Sequence, residues 1–411
     1  MLSSQVDCGL PSSAGGDDCA RVAVLGLGYV GWPVATTFAE AGFRVVGIDV
    51  DPNRVAALQR SEDGAVSARA LRTGRLSVTT ERVALESADV VFICVPTPLE
   101  KGEAVHAAVR ECAAAFARHG RPEALVILES TVRPGFVAAL RPLLGHGGRV
   151  ALAYAPERID PQLHQSGWQL RDVPRLVAGV DDDAQTRALV LLRAVGVDAH
   201  PVALPVAEYA KLLENTYRLV NVALSNEFAA VCRADGIDPV AVVRAAATKP
   251  YGFQPFWPGV GAGGHCVAVD PAFLAQRGQS LGVPFPLLES ALLSNASRPR
   301  AIAASLAAQT GAGETILVVG LTYKAGVPDT RESAALAAAR ALAGMNRRIL
   351  AFDPLVQPPE DLAFVALSDG LARATTAVLL VAQSDDIVAA LLASGLTLFD
   401  ATGTLAGAVK V

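Results

Sequence analysis

The most chemically suggestive stretch of this chain is Gly263-Gly264-His265-Cys266, followed closely by Asp270-Pro271. Flanking glycines leave backbone N–H groups exposed and little steric cover, a setting that suits a thiolate nucleophile. A cysteine in an apolar chain is more often a small core residue, so its company decides. Lys211 and Asn215 stand i, i+4 in a stretch of helical period and so share a face. Lysine can stabilise an oxyanion or thiolate, and the asparagine amide can donate to a developing alkoxide. A solvated helix lysine is the plainer reading, weakened here by the interrupted apolar face around Lys211. Glu129-Ser130-Thr131 and Pro156-Glu157-Arg158 each follow an apolar, strand-like run. That would open them at the carboxyl edge of a parallel sheet, where ligands bind in such folds. Taken alone, each also reads as a cap or a turn.

A second chemical signal lies near the start. Gly26-Leu27-Gly28-Tyr29-Val30-Gly31 is a GxGxxG match between a predicted strand and a predicted helix, and Asp49 ends the next predicted strand. Gly26 would make the tight turn, Gly28 would admit a pyrophosphate, and Gly31 would let helix and strand pack closely. The helix N-terminus would face the phosphates with the positive end of its dipole. A carboxylate at Asp49 would accept from the adenosine ribose and repel a 2′-phosphate, which favours NAD over NADP. Arg54 would lie over the adenine or its ribose, or be an ordinary surface arginine.

These residues need a frame, and the apolar pattern supplies one. RVAVLGLG, FRVVGIDV, ADVVFICVP, ALVILEST and RVALAYAP read as strands, alternating with helical or irregular stretches. Alternation of that kind predicts α/β architecture with a doubly wound parallel sheet. The segment VAEYAKLLENTYRLVNVALSNEFAAVCRADG then keeps helical period until Gly236 and predicts a long spine helix. A Pro/Gly/aromatic loop carries the cysteine, and further helix runs to about Gln309. ETILVVG, SAALAAARALAG, RRILAFDP, TAVLLVA and LTLFD then predict a second α/β unit without a GxGxxG. The expected organisation is a disordered extension at 1–20, a Rossmann domain at 21–204, a central helical and dimerisation domain at 205–309, and a second Rossmann-like domain at 310–411.

Composition narrows the function classes. Among 411 residues, 35 Lys and Arg against 40 Asp and Glu leave a net charge of −5, with no basic arm or acidic tail. Nucleic acid is therefore not an expected partner. The six cysteines show no CxxC and no paired spacing, so neither a disulfide framework nor a metal site is expected, and a reducing cytoplasm fits. The first twenty residues lack the basic and apolar regions of a signal peptide. No apolar run reaches the length of a membrane span.

With those residues in view, the chain resembles the UDP-glucose/GDP-mannose (nucleotide sugar) dehydrogenase family. The resemblance runs in order through GLGYVGWPVA, VPTPL, ESTVRPG, APERI, AEYAKLLENTYRLVNVALSNE, GAGGHCVAVDP and GLTYKAGVPDTRES. It implies an N-terminal NAD domain, a central dimerisation region, a C-terminal UDP-binding domain and two NAD per turnover. The implied chemistry is oxidation of a UDP-sugar C6 alcohol through the aldehyde to the acid. Position by position, Cys266 is similar to the family's nucleophile, and Lys211 and Asn215 to its oxyanion-stabilising pair. Thr131, Glu157 and Asp270 resemble its water-ordering and acid–base group. Gly26, Gly28, Tyr29, Val30, Gly31, Asp49 and Arg54 match cofactor positions, with Thr97 and Thr131 beside the nicotinamide and Arg331 reaching the cofactor from the third domain. For the sugar nucleotide the resemblance implies Glu157, Arg158, Lys211, Asn215, Arg218, Tyr251, Phe253, Gly259, Gly263 and Lys324.

PERI, ENTYRLVNVALSNE and ATKPYGFQPFWPG are more similar to the UDP-N-acetylhexosamine branch, the UDP-N-acetylmannosamine type in particular, than to the UDP-glucose branch, whose 6-dehydrogenation is the alternative. Departures from the family pattern are short segments after Arg60 and around 145–148, Gln162 in place of a common glycine, and GVGAGGHCVAVD for a bulkier loop. They touch cofactor loops and the sugar pocket and leave the sugar open. Two remoter readings stand beside this one. A 3-hydroxyacid-type dehydrogenase would share the Rossmann domain and the KxxxN pair but transfer one hydride without a cysteine. A non-catalytic NAD- and nucleotide-binding protein would keep only the fold.

Overall fold

The computed structural model describes residues 20–60, 71–159, 170–357 and 359–411. The extension expected at 1–20, save Ala20, lies outside the described residues, as do the segment just after Arg60 and Gln162. The chain forms two compact units, one ending at Leu212 and the other running Leu213–Val411.

The first unit is built on β1 (Arg21–Leu25), β2 (Arg44–Ile48), β3 (Leu76–Thr79), β4 (Val90–Ile93), the short hairpin β5 (Leu99–Glu100) and β6 (Glu103–Ala104), β7 (Leu125–Leu128), β8 (Ala151–Tyr154), β9 (Arg175–Gly179) and β10 (Ala199–Pro201). Eight of these make one sheet in the order β10-β9-β8-β7-β4-β1-β2-β3. β4, β7 and β8 are buried along their whole length, as a sheet with helices on both faces requires. Side chains alternate between the faces. Val90 and Phe92 of β4 join a core with Phe38 and Leu58, whereas Val91 and Ile93 join the opposite core with Phe116 and Tyr154. The doubly wound α/β class expected from the sequence is the class observed. It departs from the expected parallel sheet at one step, because β9 pairs antiparallel to β8. β9 and β10 are parallel to each other, with the helix Asp182–Ala194 as their crossover.

The spine helix runs Leu204–Ala234, 31 residues. Gly236 ends it with φ 72°, and Ile237 N–H returns to the Cys232 carbonyl at 2.8 Å, a left-handed cap that a Cβ would oppose. In the second unit, helices Pro239–Ala246, Asp270–Ser280 and Pro286–Gln309 precede a parallel sheet. Its strands are β11 (Thr315–Val319), β12 (Arg348–Phe352), β13 (Ala363–Phe364), β14 (Thr376–Leu379), β15 (Thr397–Asp400) and β16 (Val409–Lys410), in the order β13-β12-β11-β14-β15-β16. Among the described residues no helix is long and apolar enough to cross a membrane.

Candidate active site

In the first unit the glycine turn divides its labour as the spacing predicted. Gly26 has φ +88°, and a Cβ there would stand 2.7 Å from the Cys94 carbonyl oxygen. A Cβ on Gly31 would meet the Gly26 carbonyl at 1.8 Å, which is how close the helix Gly31–Glu40 lies to the turn. At Gly28 a Cβ would touch nothing within 4 Å, so the exposed backbone there is open to a ligand. Val30 caps the helix without a side-chain acceptor, Trp32 N–H donates to the Gly28 carbonyl at 3.2 Å, and Pro33 has no N–H. Tyr29 is exposed. Asp49 Oδ2 accepts from Leu27 N–H at 2.7 Å and Oδ1 from Asp51 N–H at 3.0 Å, while the residue stays half-buried with lone pairs to spare. Arg54 is no loose surface arginine: its Nε donates to the Leu27 carbonyl at 2.9 Å and grips the turn from the other side. These residues fit a dinucleotide.

At the carboxyl ends of β4 and β7, Thr97 Oγ1 donates to the Thr131 carbonyl at 2.8 Å and Ser130 Oγ to the Val95 carbonyl at 2.7 Å. The two loops are thus stitched together at the carboxyl edge of the sheet. Glu157, just after β8, is buried, and its N–H donates to the Glu129 carbonyl at 3.3 Å. Burial pushes its carboxyl above the ordinary range, and the charge of Lys211, then that of Arg175, pulls it back. Lys211 is buried, not solvated. Glu208 fastens this end of the spine helix by accepting from Gly135 N–H at 2.8 Å and Val137 N–H at 3.2 Å. Arg158 donates to the Pro174 carbonyl at 2.9 Å.

In the second unit Asn215, one turn along the spine from Lys211, donates from Nδ2 to Asp270 Oδ2 at 2.6 Å. Asp270 opens the helix Asp270–Ser280 and is 2% exposed. Its N–H and that of Val269 donate to the Cys266 carbonyl at 2.8 and 3.2 Å, so the cysteine sits on the turn that leads into that helix. Cys266 is exposed and in no disulfide, whereas Cys112 and Cys232 are buried and Cys94 half-buried. Burial pushes the Cys112 thiol up to about 12 and also raises Cys94. Among the described thiols, Cys266 is the exposed one.

The loop that carries Cys266 is held along its length. Asn226 Oδ1 accepts from Gly259 N–H at 2.8 Å, Arg298 Nε donates to the Gly259 carbonyl at 3.0 Å, and Asn295 exchanges two bonds with Ala262 at 2.7 and 2.9 Å. A Cβ on Gly264 (φ +82°) would strike the Tyr323 ring at 2.6 Å, and one on Gly263 the Glu332 carbonyl at 2.5 Å. Burial and the nearby Arg331 charge hold His265 below the usual imidazole range. Arg331 forks onto Asp329, at 3.1 Å from Nε to Oδ1 and 2.6 Å from Nη2 to Oδ2. Lys324 is half-buried in the same loop, while Arg218, Tyr251 and Phe253 are exposed.

Sequence reasoning missed Asn226, Asn295, Arg298, Glu208 and the buried Glu129–Arg175 pair. Asn226 had a signal, since it repeats the face of Asn215 three turns on. The others are recognised only through partners distant in sequence.

A glycine turn that fits a dinucleotide and an exposed thiol on the turn before the buried Asp270 are the fittings of a dehydrogenase. Residues 20–194 match the NAD binding domain of the UDP-glucose/GDP-mannose dehydrogenase family, 205–297 its central domain and 317–401 its UDP binding domain. The chain belongs to that family. It is 33% identical to a UDP-N-acetyl-D-mannosamine dehydrogenase of Pyrococcus horikoshii over 83% of this chain and 85% of that one. A UDP-N-acetyl-D-glucosamine 6-dehydrogenase of Pseudomonas aeruginosa is 32% identical over 82% and 83%. The solved structure of the P. horikoshii UDP-D-ManNAc dehydrogenase superposes with a TM-score of 0.83 at 28% identity, covering 95% of this chain and 98% of that one.

Proposed function

We propose that this dehydrogenase oxidises the C6 primary alcohol of a UDP-N-acetylhexosamine to the carboxylate, through the aldehyde and a thioester on Cys266. The exposed Cys266 thiol, set before a buried Asp270 that holds Asn215, carries the reading. The names of the similar dehydrogenases support the N-acetylhexosamine class. Two NAD, bound in succession on the Gly26–Gly31 turn, would each accept one hydride.

Cys266 adds its sulfur to the C6 aldehyde, and the proton it carried passes to Asp270. Lys211 and Asn215 meet the negative charge on the hemithioacetal oxygen. After the second hydride has left, C6 is a thioester. Thr131 orders a water, Glu157 accepts its proton as it attacks C6, and the C–S bond breaks as Asp270 returns a proton to the sulfur. Covalent capture keeps the reactive aldehyde from escaping between the two oxidations. Gly28, Asp49, Arg54, Thr97 and Arg331 serve the cofactor. Arg158, Arg218, Tyr251, Phe253, Gly259, Gly263 and Lys324 serve the sugar nucleotide. The exposed apolar residues Val206, Tyr209, Leu213, Tyr217, Leu224, Phe228 and Val231 of the spine helix support a homodimer through that helix.

NADH yield decides the proposal. Incubation with UDP-glucose, UDP-N-acetylglucosamine, UDP-N-acetylgalactosamine and UDP-N-acetylmannosamine is expected to give two NADH per sugar, with an N-acetylhexosamine preferred. One NADH per sugar would overturn the four-electron reaction, and a preference for UDP-glucose would overturn the substrate class. Cys266→Ser is expected to stall after the first oxidation or to hold an ester-like adduct, because an alkoxide leaves poorly. Rapid complete oxidation by that variant would rule out the thioester.

A further inference from the structure

Four buried charges stand within electrostatic reach of one another in the first unit, and the mechanism above uses two of them. Glu129 and Arg175 are each 1% exposed, Glu157 8% and Lys211 6%. Arg175 Nη2 lies 2.9 Å from Glu129 Oε1 and donates to the Ala155 carbonyl at 2.7 Å. That carbonyl belongs to the strand end two residues before Glu157. Glu157 N–H in turn donates to the Glu129 backbone carbonyl, so one guanidinium fixes both loop ends that carry the two carboxylates. Both contacts are made by the one Nη2, while among the described residues Arg175 Nε and the Glu129 carboxylate oxygens carry no hydrogen bond, so charge holds the pair. Two carboxylates and two cations balance to zero, which is how such charges remain buried without an uncompensated one.

We propose that Arg175, clamped on Glu129, is a positioning residue that orients Glu157 and keeps it ionised to take the proton of the attacking water. The proposal rests on the role given to Glu157 above. The groups that bear on this cluster are Lys211 and Arg175, which favour charged carboxylates, together with Glu129, the Cys94 thiol and the N–H groups of Arg158 and Ile159. Glu129 is itself pushed up to about 6 by burial against the pull of Arg175, with the Glu157 charge adding to the rise. The two carboxylates therefore share one guanidinium, and what one loses the other gains.

That sharing gives opposite signs to two substitutions. Glu129→Gln keeps shape but removes a competing negative charge, so the acid limb of the kcat–pH profile should move down by about one pH unit. Arg175→Gln removes the shared cation, and the limb should move up by about as much. The double variant restores neutrality and should bring the limb back between them, while Arg175→Lys should keep the charge and lose part of kcat without raising KM. All are measured as NADH release from the UDP-sugar that turns over in the four-sugar screen. Should Arg175→Gln fail to fold, Glu129→Gln and Arg175→Lys carry the test alone. Glu157→Gln, run in parallel, separates the two readings. If it abolishes the acid limb while Glu129→Gln and Arg175→Lys leave the wild-type limb and kcat in place, the positioning role is wrong. If Glu157→Gln keeps both rate and limb, the role of Glu157 itself is wrong and the proposal falls with it.

Discussion

At the end of β1, Gly26 turns with φ +88° and donates to the Ile48 carbonyl at 2.9 Å; at the end of β11, Gly320 turns with φ +90° and donates to the Phe352 carbonyl at 2.9 Å. The next residue in each case is a buried leucine whose N–H donates at 2.7 Å to an aspartate just beyond the neighbouring strand, Leu27 to Asp49 and Leu321 to Asp353. The second carboxylate oxygen accepts from the residue two further on, Asp51 at 3.0 Å and Leu355 at 2.9 Å. The two units share one latch. They differ in the residues that come after it. Gly28 is exposed with nothing where a Cβ would be, whereas Thr322 is 1% exposed and adds its own N–H to Asp353 at 3.3 Å. The first helix starts at once with no side-chain cap. The second waits until Ala334, and Ser333 fills its N-terminus by accepting from Leu336 N–H at 3.1 Å. The latch is thus a device for holding a strand-to-loop turn, and ligand capacity depends on the residues beyond it. In the second unit those residues, 322–333, instead buttress the cysteine loop through Tyr323 and Glu332.

The buried latch at Asp353 is the one whose loss should cost most. Asp353→Ala leaves two buried N–H groups without an acceptor, which should cost about 3 kcal/mol of stability. Thermal or urea unfolding measures this, and the folded variant should keep its discrimination between NAD and NADP. Asp49→Ala removes the same latch where water can reach it, so the loss should be about 1 kcal/mol. There, however, the ribose carboxylate goes too, and the preference for NAD over NADP should fall by about tenfold or more, the equivalent of roughly 1.4 kcal/mol. A larger stability loss at Asp49 than at Asp353 would show the two latches to be ranked wrongly. An unchanged cofactor preference in Asp49→Ala would remove the ribose from Asp49.

How much was legible in the sequence depends on the range of the forces involved. The glycine turn, the spine helix and its stop at Gly236 were readable because local φ and helical period dictate them. Lys211 and Asn215 were found for the same reason, one turn apart on a helix. The second latch was not, because it needs Gly320 alone to keep its glycine, and the missing GxGxxG hid the kinship. Arg54 stayed undecided between ligand and surface, since its bond to the Leu27 carbonyl exists only once the turn is formed. β9 and β10 escaped notice, and with them the antiparallel step, because β10 spans only Ala199–Pro201 and its register comes from neighbouring strands. Arg175 lies on that unnoticed strand, so its pairing with Glu129 could not be read either. A buried charge declares itself through a partner, and sequence order does not name the partner.

The smallest structural perturbation gives the cleanest functional contrast. Gly28 needs no positive φ, and a methyl group added there meets no atom within 4 Å, so Gly28→Ala should fold with stability changed by less than about 0.5 kcal/mol. Its cost should fall on the cofactor, because the methyl would occupy the space through which the backbone approaches the pyrophosphate. A rise of about tenfold in KM for NAD, with an unaltered melting temperature, is the expected result. Gly26→Ala is the control that separates binding from folding: it forces a Cβ to 2.7 Å from the Cys94 carbonyl at φ +88°, so it should damage the turn itself. If Gly28→Ala binds NAD as the wild type does, openness after the latch does not make a cofactor site. The difference between the two units would then have to lie in the uncapped helix N-terminus at Val30 against the serine-capped one at Ser333.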